Sequence, residues 1–144
     1  MQSVVEYGRL GAGEAGVEEA SGPYADLSER LLAFAVRACN VAEALPHTLL
    51  GKHVAGQLIR SATSPMANYE EACAAESKKD FIHKLGLCLK ELREARSWLR
   101  FTAKATLLPD TRLDAILDEA TQLCKILGRS IATAKGLPKP DPLS

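Results

Sequence analysis

The chain has 144 residues, 47% hydrophobic and 25% charged, with 18 basic and 18 acidic side chains in balance. These figures describe one soluble domain that buries roughly two-thirds of its unfolded surface. They exclude a strongly basic nucleic-acid binder, and no apolar run approaches the roughly 20 residues a bilayer span requires.

In chain order, residues 1–22 carry Gly8, Gly11, Gly13, Gly16 and Gly22 with scattered Glu, and read as a flexible tail. Four helices are expected next, within a domain spanning 23–136. The first covers 26–44, with Asp26 and Glu29 as a capping box and Leu27, Leu31, Phe34, Ala38, Val41 and Leu45 as its apolar stripe. Leu45-Pro46-His47 ends it. The second covers 50–75 and holds Pro65 in its interior, where a missing N–H disturbs the ladder and calls for polar repair and a kink. Ser77 to Asp80 is the next N-cap.

The third helix covers 78–105, about 40 Å at 1.5 Å per residue. Its seam, Phe81, Leu85, Cys88, Leu92, Ala95, Leu99 and Thr102, alternates steps of four and three. Pro109 and Asp110 open the fourth, 110–135, with Leu113, Ile116, Ala120, Leu123, Leu127, Ser130 and Ala134 facing inward. Gly136 stops it, and 137–144 continue as a Pro-rich tail. Long amphipathic helices on short connections predict an all-α, antiparallel up-down-up-down four-helix bundle.

Three features stand apart from the core pattern. Arg60, Ser64, Asn68 and Glu71 are spaced four, four and three, so they form one polar stripe on the second helix. Its structural reading is a hydrogen-bond network around Pro65 in which Arg60 and Glu71 neutralise one another; its functional reading is a ligand or partner site. Trp98 and Phe101 project away from the third helix's seam, which points to an oligomer interface or to cover by another segment of the chain. Arg93, Arg96, Arg100 and Lys104 form a basic stripe on the same helix, either a solvated face or a candidate nucleic-acid contact. Charge is unevenly spread, with 16 basic and 13 acidic residues between 23 and 136, a mild +3.

No convincing catalytic set accompanies these features. Asp80 and His83 resemble half of a di-iron ligand pair, yet the other carboxylates that chemistry needs are missing. Ser61 and Ser64 have no local histidine, and no cofactor motif occurs. Cys39, Cys73, Cys88 and Cys124 are far apart and fall on or near apolar stripes, as free thiols in a reducing compartment do. The N-terminus, Met1 to Glu6, lacks a secretion signal, so a cytoplasmic location is expected.

The segment Arg60-Ser61-Ala62-Thr63-Ser64, then Asn68-Tyr69-Glu70-Glu71-Ala72, Ser77, Asp80-Phe81-Ile82, Lys84-Leu85 and Lys90-Glu91, resembles the four-helix bundle proteins encoded by intervening sequences of bacterial 23S ribosomal RNA genes. Pro65 stands one place nearer the chain start, relative to Asn68, than in many members. The resemblance implies a non-enzymatic, cytoplasmic protein without cofactors that assembles as a ring-like homopentamer. Ser97-Trp98-Leu99-Arg100-Phe101 and Ile126 to Ile131 also resemble a related group, the accessory variability proteins of diversity-generating retroelements. That likeness implies RNA and a reverse transcriptase as partners. The expected role is that of a homo-oligomeric scaffold or adaptor, with an RNA-binding accessory protein as the alternative.

Overall fold

The computed structural model describes residues 23–137, with side chains from 26 onward; the expected tails, 1–22 and 138–144, lie outside the described residues. Helix α1 spans Pro23–Ala44, α2 Leu49–Cys73, α3 Lys78–Lys104 and α4 Asp114–Lys135. Among the described residues there is no strand, and no helix is long and apolar enough to cross a membrane.

Each boundary has a local cause. Pro23 opens α1, a position where its missing N–H leaves no helical bond unmade. This corrects the Asp26–Glu29 capping box: Asp26 sits inside the first turn, where its carboxylate complements the helix dipole. Thr48 caps α2 by accepting the Gly51 N–H at 3.0 Å, and Ser77 caps α3 by accepting the Asp80 N–H at 3.0 Å. The expected start of the fourth helix divides in two. A 3-10 turn, Asp110–Arg112, follows Pro109, and α-helical geometry begins only at Asp114. Gly136 ends α4 at φ 71°, with its N–H and that of Leu137 closing on the Thr133 and Ala132 carbonyls. Thr106, after α3, also takes a left-handed φ of 52°, a conformation that costs a β-branched residue on the order of 1 kcal/mol.

Apolar stripes from all four helices meet in one core. The α3 seam from Phe81 to Thr102 is buried at every expected position. So are the α1 stripe and the α4 stripe, apart from Ser130, which is half-exposed and bonds its hydroxyl back to the Ile126 carbonyl. Packing is most extensive between α2 and α3, and among the four neighbouring helix pairs it is thinnest between α1 and α4. Paired residues of α2 and α3 run in opposite sequence order: His53 with Trp98, Arg60 with Glu91 and Glu94, Pro65 with Cys88, Glu71 with Lys84. These two helices are therefore antiparallel. The thin α1–α4 seam is bridged by Arg30, whose guanidinium donates to Glu119 at 2.6 Å and is held above its ordinary pKa by that bond.

Candidate interaction surfaces

Helix α2 continues as one element through Pro65, and hydroxyl and amide side chains bond to its backbone on either side of the proline. Ser61 Oγ donates to the Gln57 carbonyl at 2.8 Å, Thr63 Oγ1 to Ile59 at 2.7 Å, and Asn68 Nδ2 to Ser64 at 3.1 Å. These bonds bracket the Ser61 carbonyl, which the proline ring leaves without its usual donor. Asn68 also donates to the Ser64 hydroxyl at 3.0 Å, so the middle of the polar stripe is a local network.

The ends of the stripe behave differently from the expectation. Arg60 and Glu71 do not neutralise one another. Eleven residues on a helix separate them by about 16 Å, three times the span of a side-chain pair. Arg60 instead pairs with Glu91 at 3.0 Å and with Glu94, both on α3, while Glu71 accepts from Lys84 at 3.1 Å. The guanidinium holds the Glu94 carboxyl below its ordinary range, and Glu94 with Glu91 raises Arg60. The stripe therefore registers α2 against α3.

A thiol completes this junction, and sequence reading missed it. Cys88 Sγ, buried in the α3 seam, donates to the Pro65 carbonyl at 3.2 Å. Burial pushes its pKa up to about 12 and also raises Cys73 and Cys124, the last against the opposing pull of Arg96 and Arg93. A raised thiol pKa stabilises the fold below the unfolded value of about 8.5 and loses that stabilisation as pH rises toward the folded value. Unfolding free energies from urea titrations are accordingly expected to fall from pH about 9 upward, by at most about 1.4 kcal/mol per pH unit for each thiol so raised, with a shallower fall in Cys88→Ala. Native iodoacetamide labelling near neutral pH should spare Cys88 and modify Cys39 first; rapid Cys88 labelling would contradict the burial.

Trp98 and Phe101 lie off the seam, as their spacing predicts. Trp98 is half-buried, edge-on to the His53 ring of α2 at 5.7 Å and to Phe101 at 5.8 Å. Cover for the indole thus comes from α2. Phe101 keeps 41% of its surface exposed, and Leu50, one turn before His53, is exposed beside this cluster.

A second apolar face was not foreseen. Leu32 and Val36 follow Ser28 at intervals of four on α1, and the Ser28 hydroxyl bonds Glu70 of α2. They therefore line the α1–α2 flank, with 44% and 54% of their surfaces exposed. Ile59, three turns before Glu70, adds a third exposed apolar side chain on the α2 side. The two faces lie on opposite flanks of α2.

The basic stripe stays on the surface. Arg93, Arg100 and Lys104 are exposed and Arg96 is half-buried against α4, near Cys124. Among the described residues none of the four forms an ion pair, and no three His, Cys, Asp or Glu side chains converge in a way that could hold a metal. The two buried polar side chains among the described residues, Ser61 and Thr102, both donate to backbone carbonyls one turn earlier.

Fold and surfaces together define a helical bundle protein whose prominent features are faces rather than a cleft. The family model for 23S rRNA-intervening sequence protein matches residues 26–129, and the chain belongs to that family. Its helices are similar to the crystal structure of a protein of unknown function from the S23 ribosomal protein family of Bacteroides thetaiotaomicron VPI-5482. The two are 31% identical, with a TM-score of 0.62, and the match covers 70% of this chain and 94% of that one. A comparison with curated proteins finds no match.

Proposed function

We propose that the protein is a non-enzymatic, homo-oligomeric scaffold or adaptor that acts through its surfaces. The observation that carries this reading is the pair of exposed apolar faces on opposite flanks of α2: Leu32, Val36 and Ile59 on one, Leu50, Trp98 and Phe101 on the other. A head-to-tail ring needs two different, complementary faces on each subunit, whereas a two-fold dimer needs one that matches itself. The ring of five implied by the family resemblance is of the first kind, and these faces would supply its two halves. Aromatic residues are favoured at the centre of such contacts.

Light scattering on the purified chain at micromolar concentration is expected to give a closed oligomer. Val36→Glu and Phe101→Glu alter exposed side chains, so each should leave the helical content unchanged and yield a monomer. Mixed together, the two variants should recover a heterodimer, because each still carries the face its partner lacks. A monomeric wild type removes the assembly reading; a mixture that stays monomeric removes the head-to-tail arrangement.

A further inference from the structure

We propose that the chain's own N-terminal segment, with Glu14 to Glu19 at its centre, docks on the α4-facing flank of α3 and sets its carboxylates against Arg93, Arg96, Arg100 and Lys104. The contact needs only one chain, so it stands apart from the reading of the protein as an oligomer.

The first observation is how α3 sorts its charges. On the flank facing α2, Lys84, Glu91 and Glu94 are matched by Glu71 and Arg60. On the other flank the four cations have no ion-pair partner among the described residues. No carboxylate stands three or four places from any of them on the helix. The steps from Arg93 to Arg96, Arg96 to Arg100 and Arg100 to Lys104 instead stack like charges, which oppose the helix. Helix α4 offers no relief. Cys124, which feels the charges of Arg96 and Arg93, is followed by the exposed cations Lys125 and Arg129.

The second observation is where the balancing charge lies. Residues 23–136 carry a net +3, and residues 1–22 carry −3, from Glu6, Glu14, Glu18 and Glu19 against Arg9. Residues 137–144 hold one charge of each sign, so the neutrality of the whole chain is a balance between the bundle and its N-terminal segment. Three of those carboxylates fall within Glu14-Ala15-Gly16-Val17-Glu18-Glu19, where the small side chains let a backbone lie close to a helix. A second copy of the bundle offers no equivalent. The adjacent acidic pairs on the described helices are already engaged, Glu70 with Ser28, Glu71 with Lys84, Asp118 with Gln122 and Glu119 with Arg30.

The flank is within reach of the segment. From Pro23, α1 climbs about 10 Å to Arg30, which touches Glu119 on α4; about 8 Å further along α4 stands Cys124, beside Arg93 and Arg96. With helix axes about 8–10 Å apart, that route totals about 40 Å. Extended chain from Pro23 back to Glu14 spans about 30 Å and back to Glu6 about 56 Å. Tethering also holds the carboxylates near the flank at about millimolar effective concentration. Guanidinium forks suit carboxylate oxygens, and although each exposed pair is weak alone, several act together.

The test uses the amide peaks of Gly13, Gly16 and Gly22 in proton–nitrogen spectra of the full chain. Docked residues tumble with the bundle and give broad, weak peaks. These should sharpen and rise several-fold between about 20 and about 500 mM salt, as the Debye length falls from about 20 to about 4 Å. Arg93→Gln/Arg96→Gln/Arg100→Gln should give the sharp peaks already at low salt, and so should Glu14→Lys/Glu18→Lys/Glu19→Lys. Joining the lysine variant to Arg93→Glu/Arg96→Glu/Arg100→Glu should restore the broad peaks. Carbodiimide coupling of the wild type at low salt should link Lys104 to Glu14, Glu18 or Glu19. Circular dichroism and light scattering of each variant should match the wild type; a monomeric wild type would remove the assembly and leave the salt response of these peaks in place. Peaks equally sharp at both salts, peaks unmoved by the arginine variant, or a charge exchange that restores nothing would each overturn the proposal.

Discussion

Gly51→Ala is expected to destabilise the fold by at least about 2 kcal/mol, while alanine at three other helix-interior glycines stabilises it. Gly51 is buried in the first turn of α2, where its N–H is accepted by Thr48. A Cβ there would fall inside the van der Waals surface of the Pro46 carbonyl oxygen and 2.9 Å from its carbon. Both obstacles are backbone, so no rotamer change relieves them, and the α1–α2 connection has to move. Gly56, Gly86 and Gly128 sit in helices with open space where a methyl group would stand. Alanine there gains about 0.5–1 kcal/mol from reduced backbone freedom in the unfolded chain. Urea denaturation of the four single variants measures the contrast. If Gly51→Ala unfolds within about 0.5 kcal/mol of the wild type, the close approach of Pro46 does not constrain this loop.

Tyr69→Ala is expected to have the larger effect, about 3–5 kcal/mol. Tyr69 is among the largest fully buried side chains, 1% exposed, and its hydroxyl draws the Cys73 thiol pKa down against the upward push of burial. Truncation removes the ring and opens a cavity in the core, one turn before α2 ends. For a domain with about 5–15 kcal/mol of total stability, that is a third or more of what holds it folded. Tyr69→Phe keeps the ring and should cost only about 1 kcal/mol, the typical net contribution of a buried hydroxyl's hydrogen bond. Thermal or urea unfolding of both variants gives the comparison. Similar losses would mean that the cavity closes by repacking.

Much of the architecture was legible because helical periodicity is a local property. The α3 seam could be read at all seven positions, since an apolar residue every three or four places has one inward arrangement in a bundle. Ser77 and Gly136 were legible as caps for the same reason: their chemistry acts within one turn. The α1 boundary was missed because Asp26 is as good a signal for a first-turn carboxylate as for a cap, and Pro23 upstream decided between them. The 3-10 turn before α4 has no pattern of its own in three residues.

The surfaces divide along the same line. The residues of the polar stripe, the basic stripe and the Trp98–Phe101 pair were all visible as helical faces, because residues three and four apart must share a face. What each face meets is set by other helices. Sequence order suggested Arg60 and Glu71 as partners, yet the antiparallel fit of α2 on α3 gave Arg60 to Glu91 and Glu94 and Glu71 to Lys84. The Cys88 bond to Pro65 and the exposed α1–α2 face likewise exist only once helices are side by side.

By itself, then, the sequence determined the helices, their inward faces and the family, because these follow from spacing along one chain. Tertiary structure alone decided which charges are matched, which thiol meets which carbonyl, and which apolar residues stay uncovered. Those outcomes depend on neighbours far away in sequence, and spacing along a helix carries no information about them.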